Sequence, residues 1–168
     1  MQNRRTAIAA ALAVLTLAGS AVAAPVPSDG ALSPQGRWEA GQAAYEAWSK
    51  LRPGWKTTSS GLQYKRIKRA PPWKKRPEPG AVVTIHYTGA FIDGTEFDSS
   101  RKRGEPATFP LGQLIKGWQE GVPLMRKGER FLFVIPASIG YGARVRPPIH
   151  PNSTLLFDIE LIDIPTDE

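Results

Sequence analysis

Three segments of the chain alternate apolar with polar residues, which is the pattern of β-strands that bury one face. Their apolar members, in chain order, are Val83, Ile85 and Tyr87; Phe131, Phe133 and Ile135; and Leu155, Phe157, Ile159 and Leu161. In the last segment Asp158 and Glu160 take the alternate positions and are predicted to face water. Residues 61–68 predict a short edge strand, and the proline-rich residues 71–79 predict a loop.

A short amphipathic helix is predicted between the first two of these strands, and it is expected to end at Pro123. Its apolar residues are Leu114, Ile115, Trp118 and Val122. The 16 Gly and 16 Pro residues favour many turns over a helical bundle. Several strands and one short helix therefore predict an α+β domain over residues 55–165.

A second helix is predicted over residues 36–50, ahead of Pro53 and Gly54. One stripe of large side chains runs along it, formed by Trp38, Tyr45, Trp48 and Leu51. We expect this stripe to pack on its own domain, and the alternative is a dimer contact or a client-binding surface. The residues before it are rich in Pro, Ser, Ala and Gly, so 24–54 is predicted to be a flexible leader followed by a short amphipathic helix.

The N-terminus has the pattern of a secretory signal peptide. Arg4 and Arg5 precede an apolar run over 7–18, and Ala21-Val22-Ala23 follows as the cleavage motif. A cut after Ala23 gives a signal peptide of residues 1–23. The apolar run is shorter than the ~20 residues of a spanning helix, so no stable membrane insertion is expected after cleavage. The protein is predicted to be exported, and the arginine-led signal favours the bacterial periplasm.

Composition excludes several classes of site. The chain has no cysteine, so disulfides, thiolate metal sites and cysteine nucleophiles are excluded. Its 2 His residues have no clustered carboxylates, which argues against a metal site. The common hydrolase and nucleotide-binding motifs are missing. The net charge of +7 comes partly from a basic run over 65–76, which favours a solvated loop over a nucleic-acid-binding patch.

Five blocks in order along the chain carry a resemblance to the FKBP-type peptidyl-prolyl cis–trans isomerases. They are residues 83–89 (VTIHYTG), 93–100 (DGTEFDSS), 115–121 (IKGWQEG), 140–144 (GYGAR) and 154–161 (TLLFDIEL). The resemblance covers about residues 55–165. It implies a twisted antiparallel sheet wrapped around one short helix, with an apolar aromatic pocket between them for a proline ring.

The resemblance also implies the roles of individual residues. The residues matched to catalytic positions are Tyr87, Asp98, Ile115, Trp118 and Tyr141. Those matched to substrate-binding positions are Phe97, Arg103, Phe109, Leu114, Ile149 and Phe157. In the family, the tryptophan forms the floor beneath the proline ring. The tyrosine hydroxyl and the isoleucine backbone N–H donate hydrogen bonds to carbonyls of the bound chain.

The implied function is acceleration of X–Pro bond rotation in exported polypeptides, with proline-containing clients as partners and macrolides as inhibitors. No cofactor, metal or nucleic acid is expected. The alternative is a non-catalytic chaperone or scaffold module with the same fold. Two departures from the family leave peptide selectivity open. Ala107 stands where many members have Phe, and the loop over 143–151 is more basic and richer in proline than is usual.

Overall fold

The computed structural model describes residues 33–165, so the predicted signal peptide and most of the leader lie outside the described residues. It contains helices α1 (Pro34–Lys50), α2 (Ser100–Arg103) and α3 (Lys116–Gly121). The strands are β1 (Lys56–Thr57), β2 (Gln63–Lys68), β3 (Val82–Ala90), β4 (Glu96–Ser99), β5 (Ala107–Pro110), β6 (Arg130–Ile135) and β7 (Leu155–Asp163). Within these residues, no helix is both long and apolar enough to cross a bilayer.

The strands form one antiparallel sheet in the order β1-β2-β6-β7-β3-β4. Strand β5 pairs with the first half of β3, and β4 pairs with its second half. The α+β class predicted from the sequence is confirmed. Strand β2 has β6 on one side and only the two-residue β1 on the other, so it lies close to the edge as expected.

One face of the sheet packs against α3. The alternating residues Val83, Ile85 and Tyr87 are buried there, as are Phe133 and Ile135. Two glycines let the helix approach this closely. A Cβ atom at Gly117 would lie 2.6 Å from Ile135 Cγ2, and one at Gly121 would lie 2.6 Å from Phe133 Cε1. The conformational cost of glycine in a helix is thus offset by close contact between helix and sheet.

The opposite face of the sheet is covered in part by α1. Tyr45 is buried against Val134, and Trp48, Trp55, Ile92 and Leu156 pack around this pair. Hydrogen bonds hold α1 near both of its ends. Trp38 Nε1 donates to the Pro151 carbonyl, and Ser49 Oγ donates to Gln63 Oε1 over 2.7 Å. The aromatic stripe of α1 therefore packs on its own domain, as predicted from the sequence. Leu51 is the exception, because it follows the last helical residue and is 81% exposed.

Three predictions from the sequence pattern are wrong: the exposure of Asp158 and both ends of the short helix. Asp158 was expected to face water, but it is 4% exposed. The carboxylate is buried by its ion pairs instead: Arg130 Nε donates to Oδ1 at 2.7 Å, and Arg101 Nη2 lies 3.9 Å from the same oxygen. The short helix was expected to include Leu114 and Ile115, but α3 begins at Lys116. Pro123 lies within a 3-10 turn that continues the helix rather than closing it.

Candidate active site

A cavity of about 270 Å³ opens between α3, the sheet and the loops that follow β5 and β6. Its walls are mainly aromatic and aliphatic. The lining residues are Tyr87, Phe97, Asp98, Phe109, Gln113, Leu114, Ile115, Trp118, Tyr141, Arg146 and Phe157. The structure thus brings together residues from distant parts of the chain that the sequence matched to one pocket.

Trp118 lies at the base of the cavity and is only 5% exposed. Its ring makes edge contacts with Tyr87 at 5.3 Å and with Phe157 at 5.1 Å between ring centroids. Phe97 in turn meets Phe157 at 5.7 Å, also edge-on. Edge-to-face contacts of this kind fix the orientation of each ring. The result is an aromatic floor whose rings orient one another.

One wall of the cavity holds a hydrogen-bonded cluster of Tyr87, Asp98 and Arg103. The Tyr87 hydroxyl donates to Asp98 Oδ2 over 2.5 Å. Arg103 donates through Nη1 to Asp98 Oδ1 at 2.6 Å and through Nη2 to the Tyr87 oxygen at 3.0 Å. The short helix α2 positions Arg103 in its last turn, with Ser99 as the N-cap and Gly104 in the left-handed region as the C-cap.

The cluster keeps the Asp98 carboxyl ionised. Burial acts to raise the pKa of Asp98, but hydrogen bonds from Tyr87 and Arg103, together with the arginine charge, outweigh burial and lower the pKa below its usual range. Burial and the bond to Asp98 raise the pKa of Tyr87. The tyrosine therefore remains a neutral donor, and neither group is poised to exchange protons near neutral pH.

Two donors at the rim of the cavity are free to bind a ligand. The Tyr141 hydroxyl has no hydrogen-bond partner in residues 33–165, and the Arg146 guanidinium carbon lies 4.7 Å over the centre of its ring. No turn or loop hydrogen bond of the described chain uses the N–H of Ile115. Gln119 supports this rim by donating to the carbonyl of Leu114 at 2.6 Å. The rim can thus donate to the carbonyls of an extended peptide.

Two residues matched to the pocket lie outside its lining. Arg103 acts through Asp98 and Tyr87, as described above. Ile149, in the loop over 143–151, is buried in the core and forms an isolated bridge with Arg146. Ala107 sits in β5 opposite Ile85 and also does not line the cavity.

Two lining residues were not predicted from the sequence. Gln113 was not identified at all, and Arg146 was identified only as part of a basic loop. Gln113 lies in a 3-10 turn with no distinguishing pattern. Arg146 reaches the cavity only because its loop folds back over Tyr141.

The described residues offer no chemistry based on metal or histidine at this cavity. No group of three potential metal ligands occurs within residues 33–165. His86 lies 3.1 Å from Ser100 Oγ on another side of β3, and His150 stacks edge-on against Trp38. Neither histidine lines the cavity. The site is therefore a mainly apolar cavity with hydrogen-bond donors at its rim that can bind a peptide.

The sequence profile of the FKBP-type peptidyl-prolyl cis-trans isomerases matches residues 74–162, slightly more than half of the chain. The chain belongs to this family. The matched FKBP-type segment includes every residue that lines the cavity.

Curated relatives agree with this assignment. This chain is 48% identical over 120 residues to the FKBP-type peptidyl-prolyl cis-trans isomerase FkpA of Aeromonas hydrophila, covering 71% of this chain and 44% of that protein. It is 45% identical over 122 residues to the outer membrane protein MIP of Legionella longbeachae, covering 72% and 52% respectively. This chain thus spans about half the length of the curated relatives it matches.

Solved structures show the same fold. The crystal structure of FkpA from Escherichia coli has a TM-score of 0.72 at 40% identity, over 76% of this chain and 59% of that chain. A peptidyl-prolyl cis-trans isomerase from Pseudomonas syringae pv. tomato also has a TM-score of 0.72, at 28% identity, over 82% of this chain and 100% of that chain. These structures support the FKBP-like fold of the described residues.

Proposed function

We propose that this protein is a peptidyl-prolyl cis–trans isomerase that accelerates rotation about X–Pro bonds in exported polypeptides. The observation that carries the proposal is the buried Trp118 floor beneath a rim on which Tyr141 and Ile115 present unused donors. Proline has a compact apolar ring and no N–H, so it can enter such a cavity without leaving a buried donor unpaired.

The cavity supplies what amide rotation requires. An X–Pro bond resists rotation by about 18–20 kcal/mol because of C–N resonance. Twisting the bond removes this resonance and reduces charge separation, so an apolar floor binds the twisted amide better than either planar form. Hydrogen bonds from Tyr141 and Ile115 would hold the flanking carbonyls while the bond turns. No proton transfer or covalent intermediate is needed.

The cluster of Tyr87, Asp98 and Arg103 positions the wall rather than reacting. Because the Tyr87 hydroxyl is held by Asp98 and Arg103, its ring is fixed edge-on against Trp118. Preorganised walls reduce the entropy lost on forming the twisted state. Asp98 therefore contributes to catalysis through the shape of the pocket.

A second candidate function is a chaperone or scaffold module without turnover. The observation that favours it is another cavity, of about 340 Å³, between α1 and the sheet. Its walls include Trp48, Trp55 and Leu132. Apolar client side chains fit such a groove. A module of this kind would bind proline-containing polypeptides without accelerating isomerisation.

We further propose that the protein acts in the periplasm, on proline-containing clients, and that macrolides inhibit it by filling the cavity of Trp118. The signal-like N-terminus supports export. Among the relatives, MIP of Legionella longbeachae is named as an outer membrane protein. Fractionation of a bacterial host should recover a chain that begins at Ala24 in the periplasm; an intact Met1 on membranes would contradict this.

The experiment that tests the activity follows cis–trans isomerisation of a Leu-Pro peptide. Trp118→Leu should lower kcat/KM by at least about tenfold, which corresponds to ~1.4 kcal/mol of transition-state stabilisation, because the floor is lost. Tyr141→Phe should lower it by a smaller factor, because one donor is removed. Trp48→Leu is the matched control, because this tryptophan lies outside the cavity, and it should keep full activity.

Circular dichroism establishes that each variant is folded. Full activity in folded Trp118→Leu would exclude the proposed site. Tight peptide binding by the wild type without acceleration would instead select the chaperone or scaffold module.

A further inference from the structure

A basic loop, defined as residues 69–76, connects β2 toward β3 and presents one aromatic ring to solvent. Trp73 at its turn is 78% exposed, although tryptophan is a residue that folding normally buries. The other members are Arg69, Ala70, Pro71, Pro72, Lys74, Lys75 and Arg76. None of them lines the cavity of Trp118.

The backbone of the basic loop is fixed to the turn before β6. Arg126 Nη1 donates to the Lys74 carbonyl at 2.8 Å, and the Lys127 N–H donates to the Lys75 carbonyl at 2.9 Å. Arg76 Nη1 donates to the carbonyl of Leu124. The backbone that carries Trp73 is therefore held by hydrogen bonds on its C-terminal side, so the fold defines where the exposed indole leaves the surface.

Among residues 33–165, the positive charge around Trp73 is largely uncompensated. Neither the Lys74 nor the Lys75 ammonium has an acceptor within the described part of the chain. Both side chains are exposed. The carboxylate of Asp163, which borders the same surface, is already paired with Lys127. The surface thus combines one large amphipathic ring with free cations.

We propose that the basic loop docks on the surface of an anionic lipid bilayer, with the Trp73 indole in the interfacial layer. Indole rings favour this layer because their apolar body and N–H match its two sides. Each Lys or Arg close to an anionic surface raises binding about fivefold. Lys74 and Lys75 flank the ring and supply this attraction.

Other anionic partners fit this surface less well. Protein interfaces have apolar cores in which lysine is depleted, whereas here a single ring is surrounded by cations. Single-stranded nucleic acid is bound by successive aromatic rings along a groove, and the basic loop has one ring at a turn. Docking on an anionic bilayer requires only an exposed indole with cations beside it, and the basic loop has this arrangement. Docking there leaves the cavity of Trp118 open and holds the protein next to a membrane.

The test is co-sedimentation of protein with lipid vesicles. The protein is purified from the periplasm of a bacterial host that expresses the full chain, so that every variant has the same N-terminus, established by mass spectrometry. Vesicles of phosphatidylethanolamine and phosphatidylglycerol should bind it, and vesicles of phosphatidylcholine should bind it at least about tenfold more weakly. Added salt should reduce the binding because it screens the charges.

Two variants test the basic loop itself. Trp73→Ala and the double variant Lys74→Glu/Lys75→Glu should each lower binding to the anionic vesicles by about fivefold or more. The chain offers a matched control in Leu51, which is 81% exposed, with the exposed Lys50 and Lys56 nearby. Leu51→Ala and Lys50→Glu/Lys56→Glu make the same kinds of change elsewhere and should keep most of the binding. All variants should keep wild-type circular dichroism.

Three outcomes would overturn the proposal. The first is no binding to anionic vesicles. The second is an equal loss in the control variants, which would mean that net charge alone causes binding. The third is binding of a single-stranded oligonucleotide that Trp73→Ala abolishes while vesicle binding is unchanged, which would assign the surface to nucleic acid.

Discussion

Asp98 accepts hydrogen bonds from Tyr87 and Arg103 at the wall of the cavity, and this makes its contribution to stability depend on pH. Its pKa in the folded protein lies below the ordinary value, despite an opposing effect of burial. The stabilisation is therefore fully present above the ordinary carboxyl pKa of about 4, and it is lost as pH falls through the lower folded-state pKa.

Asp98→Asn should consequently melt at a lower temperature than the wild type at pH 7, because the arginine loses a charged partner. The difference in Tm should narrow as pH falls below about 4, because the wild-type carboxylate is protonated on unfolding there, and it should vanish once pH is below the lowered folded-state pKa. Thermal melts across this range measure both effects. A difference that stays constant with pH would show that the charge of Asp98 does not stabilise the fold.

Arg146 places an unpaired positive charge at the cavity. It lines the pocket and has no carboxylate partner within residues 33–165, whereas the acidic wall residue Asp98 is neutralised by Arg103. We expect Arg146→Gln to lower kcat/KM for a Glu-Pro peptide up to about fivefold, the limit for an exposed ion pair, and to change Leu-Pro turnover less.

Arg144→Gln serves as the control for Arg146, because Arg144 is exposed on the same loop and does not line the cavity. It should leave the ratio of Glu-Pro to Leu-Pro turnover unchanged. If Arg146→Gln also leaves this ratio unchanged, the guanidinium does not contact the residue next to proline.

At the scale of elements, the contact between α3 and the sheet depends on glycine. Gly117→Ala adds a methyl group whose carbon would lie 2.6 Å from Ile135 Cγ2, and such overpacking costs about 1–3 kcal/mol. Alanine recovers at most about 1 kcal/mol of helix propensity. The variant should therefore have a lower free energy of unfolding, measured by urea denaturation.

Gly41→Ala in α1 is the matched substitution, because a Cβ atom there meets nothing within 4 Å. It should raise the free energy of unfolding by about 0.5–1 kcal/mol. If Gly117→Ala and Gly41→Ala change the free energy of unfolding equally, the sheet is not in close contact with α3 at Gly117.

The longer elements were predictable from the sequence because periodicity marks them. Strands β3, β6 and β7 and helix α1 each repeat their pattern several times, so their type and their buried residues follow. Strand β1 has two residues and β4 and β5 have four each, which is too short for a period. The burial of Asp158 was not predictable because alternation gives the face of a residue, while the side chains that pair with it, here Arg130 and Arg101, decide its exposure.

The cavity was predictable where a motif fixes both residue and spacing, as at Tyr87, Asp98 and Trp118. Residues that arrive through loop geometry were not. Ile149 is buried in the core and does not line the cavity, while Arg146 does. Whether Arg146 or Ile149 lines the cavity depends on the conformation of the loop over 143–151, and no pattern in the sequence predicts that conformation.

The packing of α1 on the sheet should weaken at alkaline pH, and this should lower the stability of the folded protein. Burial raises the pKa of Tyr45, which lies under this helix, to about 12. The stabilisation from its neutral hydroxyl is fully present below the ordinary tyrosine pKa of about 10 and is lost as pH rises toward 12. Tm should therefore fall in this range.

Tyr45→Phe cannot ionise and keeps the ring, so its Tm should fall less steeply over the same interval. Tyr45→Ala should lower Tm at every pH, because it removes the buried ring altogether. An identical alkaline decrease in wild type and Tyr45→Phe would show that other groups cause it.

The position of β7 in the sheet has a consequence for biosynthesis. It pairs with both β6 and β3, and it is the last strand of the described chain. Without it, β1, β2 and β6 form one piece and β3, β4 and β5 another. A ribosome that has not yet made residue 155 therefore holds a nascent chain in which no strand hydrogen-bonds the two half-sheets to each other. We therefore expect the complete sheet to form only late in synthesis, because its central pairings wait for the last strand.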